Sequence, residues 1–306
     1  MINTLGAINK QVVKNARKFV DLCEKEYREQ ICSLAKRIAD NDDIKIVAIA
    51  GPSASGKTTT AHILMNELEK HNEKTAVISL DDFYLPLQKL PFNPDGSRDI
   101  ESVNAMDIDR IEKAFRDIID NGFALLPQFD FLTKSRQENA KEINIGSRGI
   151  AIVEGLHALN PRITGVVPQK NILKVYISVN TPIEDEDGKR VLTSREVRLI
   201  RRVLRDEKFR GAEPAETLSL WNNVIKGESR YLYCFKDTAD IKLKTLHPYE
   251  LCVYKDRFCK MRDSVDENTP CYDCFIRSAN ALERFWSLDS ESVPENSLIR
   301  EFIGSE

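Results

Sequence analysis

The chain has no apolar run approaching the roughly 20 residues that a bilayer-spanning helix requires. Its opening stretch, MINTLGAINKQVVKNARKF, lacks the apolar core of a signal peptide. Charge of one sign is also missing: 45 Lys and Arg against 48 Asp and Glu leave a net −3. That balance gives no global attraction to nucleic acid or an acidic membrane. Repeats and low-complexity linkers are absent. A cytoplasmic protein with neither nucleic acid nor membrane as partner is expected.

Cysteine is present without a framework. The seven cysteines are odd in number and scattered, which suits small buried hydrophobes in a reducing compartment. Two CxxC pairs would indicate zinc, but Cys252 and Cys259 are separated by six residues and only Cys271 and Cys274 are tightly spaced. The metal reading is disfavoured.

What is there is a soluble globular composition, 42% hydrophobic and 30% charged over 306 residues. This length suits one large α/β domain with extra helices. The stretch Lys45 to Thr60 sets the frame. Ile46 to Gly51 reads as a buried strand and leads into Gly51-Pro52-Ser53-Ala54-Ser55-Gly56-Lys57-Thr58, a full G-x-x-x-x-G-K-[ST] match. Ile63, Leu64 and Leu68 then follow at helical spacing. Gly51 and Gly56 let the backbone approach a phosphate, and the helix beginning near Lys57 points its positive end there. Lys57 is expected to reach the β- and γ-phosphates and Thr58 to bind Mg²⁺. Ser53, Ser55 and Thr59 complete the nucleotide-binding set.

Around this loop the chain divides into three expected parts. Residues 1–43 form a helical N-terminal extension with neither Gly nor Pro between Val12 and Asp40. Residues 44–246 form a P-loop domain with a parallel sheet and helices on both faces. Residues 247–306 form a mostly helical extension packed on it. Lys74–Leu80 is a second strand ending in Asp81-Asp82-Phe83-Tyr84. Ligands bind beyond the carboxyl ends of such strands, so the paired acids suit a base for an acceptor hydroxyl. A turn cap suits them equally on position alone.

Leu85–Ser102 reads as a loop over an acceptor, and Asp107 as the cap of a helix to about Asp120. PQFDFLTKSR, residues 127–136, interleaves aromatics with Asp130, Lys134 and Arg136; it suits a pocket lining or a hairpin. GIAIVEG, residues 149–155, ends in Glu154, the candidate acid for Mg²⁺; His157 beside it reads as a structural hydrogen-bonder. In TSREVRLIRRVLRDEKFRG, Arg195, Arg198, Arg201, Arg202 and Arg205 fall within roughly 120° of one helical face. With no acid read on that arc, they are expected to form a lid closing on an anion.

Together these residues resemble the uridine kinase and phosphoribulokinase family of P-loop kinases over residues 44 to about 245. The motifs that carry the likeness are GPSASGKTT, LDDFY, FDF-x-x-x-S-R, VEGLHAL and RLIRRVLRDEKFRG. PENSLIREFIG, residues 294–304, is similar to the end of a longer bacterial uridine kinase-like branch. The resemblance implies ATP (or GTP) with Mg²⁺ as donor and a nucleoside as the small-molecule acceptor. Asp81 would be the base, with Lys57, Arg202 and Arg205 as its catalytic partners. Arg210 would hold the nucleotide, and Glu154 would accompany Mg²⁺. Tyr84, Asp99, Phe129, Lys134, Arg136 and Arg202 would face the acceptor. Uridine–cytidine kinases carry Tyr and His where Phe129 and Lys134 stand here; a phenyl ring keeps the stacking surface without a hydroxyl, and Lys only donates. Related kinases form oligomers, so a homo-oligomer is an expectation too. Transfer to a sugar phosphate, pantothenate or modified nucleoside, or a non-catalytic nucleotide-binding regulator, stand as alternatives.

Overall fold

The computed structural model describes residues 2–304 apart from 93–95, 97, 131, 132 and 134. The chain begins with α1 (Leu5–Ala39), whose first turn is capped by the Thr4 hydroxyl accepting from the Ala7 N–H at 3.4 Å. The helical conformation breaks at Asn15, with φ −169° and ψ 89°. Its side chain there accepts from the Lys18 N–H and restarts the helix as a cap would. Strand β1 (Ile46–Ala50) and helix α2 (Lys57–Glu69) flank the loop. They are followed by β2 (Thr75–Ser79) and α3 (Ile108–Asn121).

Asp107 caps α3 as its sequence position requires, accepting from the Arg110 N–H at 3.2 Å. The hairpin β3 (Phe123–Asp130) and β4 (Ser135–Asn144) comes next, then β5 (Ile150–Glu154), α4 (Pro161–Thr164) and β6 (Ile172–Ser178). A two-stranded ribbon, β7 (Ile183–Glu184) and β8 (Arg190–Leu192), precedes α5 (Ser194–Arg210) and α6 (Pro214–Tyr231). The chain ends with β9 (Ile241–Lys244), α7 (Glu250–Lys260), α8 (Tyr272–Glu283) and α9 (Arg300–Ile303).

The central sheet is entirely parallel in the order β2-β5-β1-β6-β9. β1 and β5 are buried at every residue, because helices cover both faces and a run without polar alternation is what such a strand needs. On one face α1, α2, α5, α7 and α8 share an apolar core that includes Val47, Ile49 and Val175. On the other, α3 and the hairpin pack on Ile46, Ala48 and Val153.

Register decides where the chemistry lies. Ile49 of β1 pairs with Glu154 of β5, and Glu154 pairs with Ser79 of β2. The ends of three strands are therefore level. The loop after β1, the acids after β2 and the acid ending β5 meet at one edge, the carboxyl end where open α/β sheets bind ligands.

Candidate active site

The loop from Gly51 to Gly56 is shaped for close approach. A Cβ on Gly51 would lie 2.6 Å from the Ile177 carbonyl oxygen and 2.7 Å from Ser55 Oγ. Gly56 has φ 87°, in the left-handed region, directly before the first turn of α2. Ser55 Oγ is buried and has no hydrogen-bond partner among the described residues, the state of a polar atom whose partner comes with a ligand. Lys57 folds over the loop, its Nζ donating to the Pro52 carbonyl at 3.2 Å. A glycine cradle, an unsatisfied buried hydroxyl, a lysine and a helix N-terminus together fit a nucleotide phosphate chain.

Glu154 is buried and accepts from Ser79 Oγ at 2.8 Å and Thr58 Oγ1 at 3.3 Å. Burial, and then the charge of Asp81, push its carboxyl up to about 7. The pair of a hydroxyl and a carboxylate beside the cradle is an all-oxygen set of the kind Mg²⁺ takes. Asp81 keeps contact with solvent while protein walls surround it. Its pKa is raised by this enclosure, drawn down by Lys57, and raised again by Asp82. Arg210 and Arg205 act on it in the same direction as Lys57. Asp82 points away from this group and accepts from the Phe129 N–H at 3.3 Å, tying β2 to the hairpin.

The arginine face differs from the sequence expectation. Arg198 and Arg201 are not free cations awaiting an anion. Arg198 makes a two-pronged ion pair with Glu228 of α6, at 2.6 and 2.8 Å, and Arg201 does the same with Glu250 of α7, at 2.9 and 3.0 Å. All four side chains are buried. An interleaved acid exists as well. Asp206 lies 2.8 Å from Arg205, 3.4 Å from Arg202 and 3.3 Å from Arg210, so the lid cations are held apart by a carboxylate of their own helix.

The buried pairs bear on the loop. Arg198 donates to the Ser53 carbonyl at 3.1 Å, Glu228 accepts from the Ser53 N–H at 2.8 Å, and Arg201 donates to the Ala54 carbonyl at 3.3 Å. Arg202 Nη1 donates to Ser53 Oγ at 2.7 Å. Thus α5 grips the phosphate loop through Arg198, Arg201 and Arg202, while the fields of Arg205 and Arg210 reach Asp81.

On the other wall, Asp99 accepts from the Tyr231 hydroxyl at 2.7 Å and lies 3.9 Å from Arg230. Glu101, which no sequence motif indicated, is pushed up to about 7 by burial, against the pull of Arg202. His157 is buried and bonds the Glu101 carbonyl through Nε2 at 3.0 Å; burial holds it neutral, near 4. It is the structural hydrogen-bonder its position suggested. The Tyr84 and Phe129 ring centroids lie 5.9 Å apart with the planes tilted by 60°, and residues 127–130 lie in β3 and residues 135 and 136 in β4. Arg136 is held by Asp107 at 2.9 Å and by Glu138. Lys134 lies outside the described residues. Asp81, Lys57, Glu154 and Thr58 are thus brought together.

Residues 46–250 match the model of the phosphoribulokinase / uridine kinase family. The chain belongs to this family. Relatives within it include uridine-cytidine kinase B of Dictyostelium discoideum, 28% identical over 197 residues that cover 64% of this chain and 72% of that one. Another is the uridine kinase of Staphylococcus haemolyticus, 27% identical over 64% of this chain and 85% of the relative. Two solved structures share the fold. A candidate fructose transport system kinase from Silicibacter sp. TM1040 superposes with a TM-score of 0.52 at 18% identity, over 69% of this chain and 98% of that one. A candidate uridine kinase from Bacillus stearothermophilus gives 0.50 at 17% identity, over 71% and 99%. The chain is accordingly a P-loop phosphotransferase of the kinase type that acts on hydroxyl groups. Among the described residues no helix is long and apolar enough to cross a membrane. Glu101, Glu228 and Glu301 are the site residues that sequence reasoning missed. Only Glu301 lay in a noticed motif, PENSLIREFIG.

Proposed function

We propose that this chain transfers the γ-phosphoryl group of ATP to a primary hydroxyl of an uncharged, hydroxyl-bearing acceptor, with the 5′-hydroxyl of uridine or cytidine first in line. The position of Asp81 carries this reading. It stands past the end of β2, within the fields of Lys57, Arg205 and Arg210, at the mouth of the phosphate loop. A base for the acceptor hydroxyl belongs there, and a raised pKa brings it nearer the operating pH. Asp81 accepts the hydroxyl proton as the new oxygen–phosphorus bond forms and the bond to the departing diphosphate breaks. Lys57, Arg202, Arg205 and Arg210 carry the charge on the transferring group. Thr58 and Glu154 would hold Mg²⁺, which when bound neutralises the β- and γ-phosphate oxygens.

The acceptor wall favours an uncharged substrate. Asp81, Asp99 and Glu101 place three carboxyl groups there, and Arg230 and Arg136 already have acidic partners. A sugar phosphate would bring another dianion against that wall. Asp99 and the ring pair of Tyr84 and Phe129 suit a ribose hydroxyl and a flat base, respectively.

A second reading keeps the chemistry and changes the acceptor. Phe129 supports it, because a phenyl ring lacks the hydroxyl that the resemblance to uridine–cytidine kinases implies at this position. ADP release measured with a panel of nucleosides, pentose phosphates and pantothenate separates the two. Uridine or cytidine should raise ADP release well above background in the wild type and not in Asp81→Asn. If no acceptor does so and Asp81→Asn behaves as wild type, kinase chemistry at this site is wrong.

A further inference from the structure

The segment from Pro294 to Gly304 lies against the phosphate loop rather than trailing from the fold. Leu298 covers Gly56 so closely that a Cβ on that glycine would lie 2.7 Å from Leu298 Cδ1. Leu298, Ile299 and Phe302 are fully buried. Ser297 Oγ donates to Glu24 of α1 at 2.5 Å, and the Arg300 guanidinium closes the segment on itself through the Gly304 and Ser290 carbonyls. The Phe302 ring stands 4.8 Å beneath the guanidinium of Arg201, which itself holds the Ala54 carbonyl. Gly304 abuts Lys208 and Phe209, next to Arg210. The segment therefore joins the first turn of α2 to the arginine end of α5.

At that junction stands a carboxylate. Thr59 Oγ1 donates to Glu301 Oε2 at 2.6 Å. Thr59 is in the first turn of α2, where the first intrahelical bond is from the Thr60 N–H to the Gly56 carbonyl. The N–H groups of Lys57, Thr58 and Thr59 have no partner within the helix and face whatever anion occupies its end. A hydroxyl has one proton. While that of Thr59 is committed to Glu301, it cannot go to a phosphate oxygen. Glu301 also sets a negative charge beside the end of a helix that favours anions, and its charge reaches both Glu154 and Arg210.

We propose that Glu301 is a positioning residue of the donor site, which competes with nucleotide phosphate for the Thr59 hydroxyl and so limits the affinity for nucleoside di- and triphosphates. The C-terminal segment is then a wall of the nucleotide site, and its seating on α2 and nucleotide binding oppose one another. The inference rests on the kinase reading in so far as it takes the loop to bind a nucleotide.

Calorimetric titration of the full-length chain with Mg²⁺ and ADP tests it, using wild type, Glu301→Gln and Glu301→Ala. Gln keeps an acceptor for Thr59 and removes the charge; Ala removes both. Both variants should bind ADP about three- to tenfold more tightly than wild type, on the scale of one partly screened charge a few ångströms away. KM for ATP should fall in parallel while KM for the acceptor stays where it was, a split that a merely structural role would not produce. Unchanged or weaker ADP binding in both Glu301→Gln and Glu301→Ala overturns the proposal. So does loss of the melting transition in both variants, since that makes the carboxylate a folding requirement. A wild-type chain that binds no ADP overturns the kinase reading itself, whereas wild-type binding without a Glu301 effect sinks this inference alone.

Discussion

Glu154 holds a largely buried carboxyl between the hydroxyls of Ser79 and Thr58. Its pKa, raised from 4.5 to about 7, means the folded protein binds a proton more tightly than the unfolded chain. Stability is then greatest below the unfolded value and is lost as pH rises through the folded one. The contribution is on the order of 3 kcal/mol between those limits. Glu101 adds a change of the same sign. His157, pushed down to about 4, adds the opposite one, losing stability as pH falls below its unfolded value. Denaturant melts of wild type and Glu154→Gln at pH 5 and pH 8 isolate the first effect. The variant should gain relative to wild type at pH 8 and show little difference at pH 5; an equal difference at both would refute the assignment. Asp81→Asn belongs at this scale too. It should lower kcat by about 10²- to 10⁴-fold, the usual share of a general base, while leaving ADP affinity close to wild type in a binding titration.

At the scale of elements, α5 is the piece whose role the sequence half-revealed. Its arginine arc was plain, and Val197, Ile200, Val203 and Leu204 of the same helix are buried. The partners of its arginines were not legible. Glu228 is 30 residues from Arg198 and Glu250 is 49 from Arg201, and a helical wheel contains no information about what another helix brings. These two arginines fix the loop, and the fields of Arg205 and Arg210 past them reach Asp81. Removing one partner of a buried pair leaves the other charge uncompensated. Glu228→Gln should therefore cost about 3–5 kcal/mol in urea unfolding. Arg202→Met removes contacts to Ser53 Oγ and to its own helix's Asp206, and should cost far less stability and mainly reduce turnover. The hairpin stood as only one of two readings of residues 127–136 for another reason. β4 is exposed along nearly its whole length and reads SRQENAKEIN, with no alternation of apolar and polar residues to mark a strand. The loop, β1, β5 and the Asp107 cap were legible because each is specified by neighbouring residues alone.

For the whole molecule, the N-terminal helix and the C-terminal segment are parts of one core with the sheet. Ile8, Phe19, Val20, Ile31, Leu34 and Ile38 of α1 are buried in the same apolar cluster as Ile49 and Val175. The Tyr27 hydroxyl meets Thr60 Oγ1 at 2.8 Å, and Glu24 accepts from Tyr249 and Ser297, each at 2.5 Å. A chain beginning at residue 44, where the family motifs begin, should not fold on its own. Each lost side chain of this size uncovers apolar surface worth about 1.5–3 kcal/mol, and the sum for these six is comparable to the whole margin of about 5–15 kcal/mol of an ordinary domain. Circular dichroism and solubility of that fragment check this; a cooperative melt near the full-length temperature would contradict it.

The bond from Thr59 to Glu301 spans 242 positions of chain. At about 5–20 residues per second, a ribosome takes on the order of ten to fifty seconds to travel that distance. The phosphate loop is thus synthesised well before the segment that completes it. Until residues 297–303 emerge, Gly56 lacks its cover and Arg201 lacks the ring beneath it. A nascent chain halted before that point would present an open, glycine-rich loop to proteases, and nucleotide present in the cell during synthesis would meet it before its own carboxylate did.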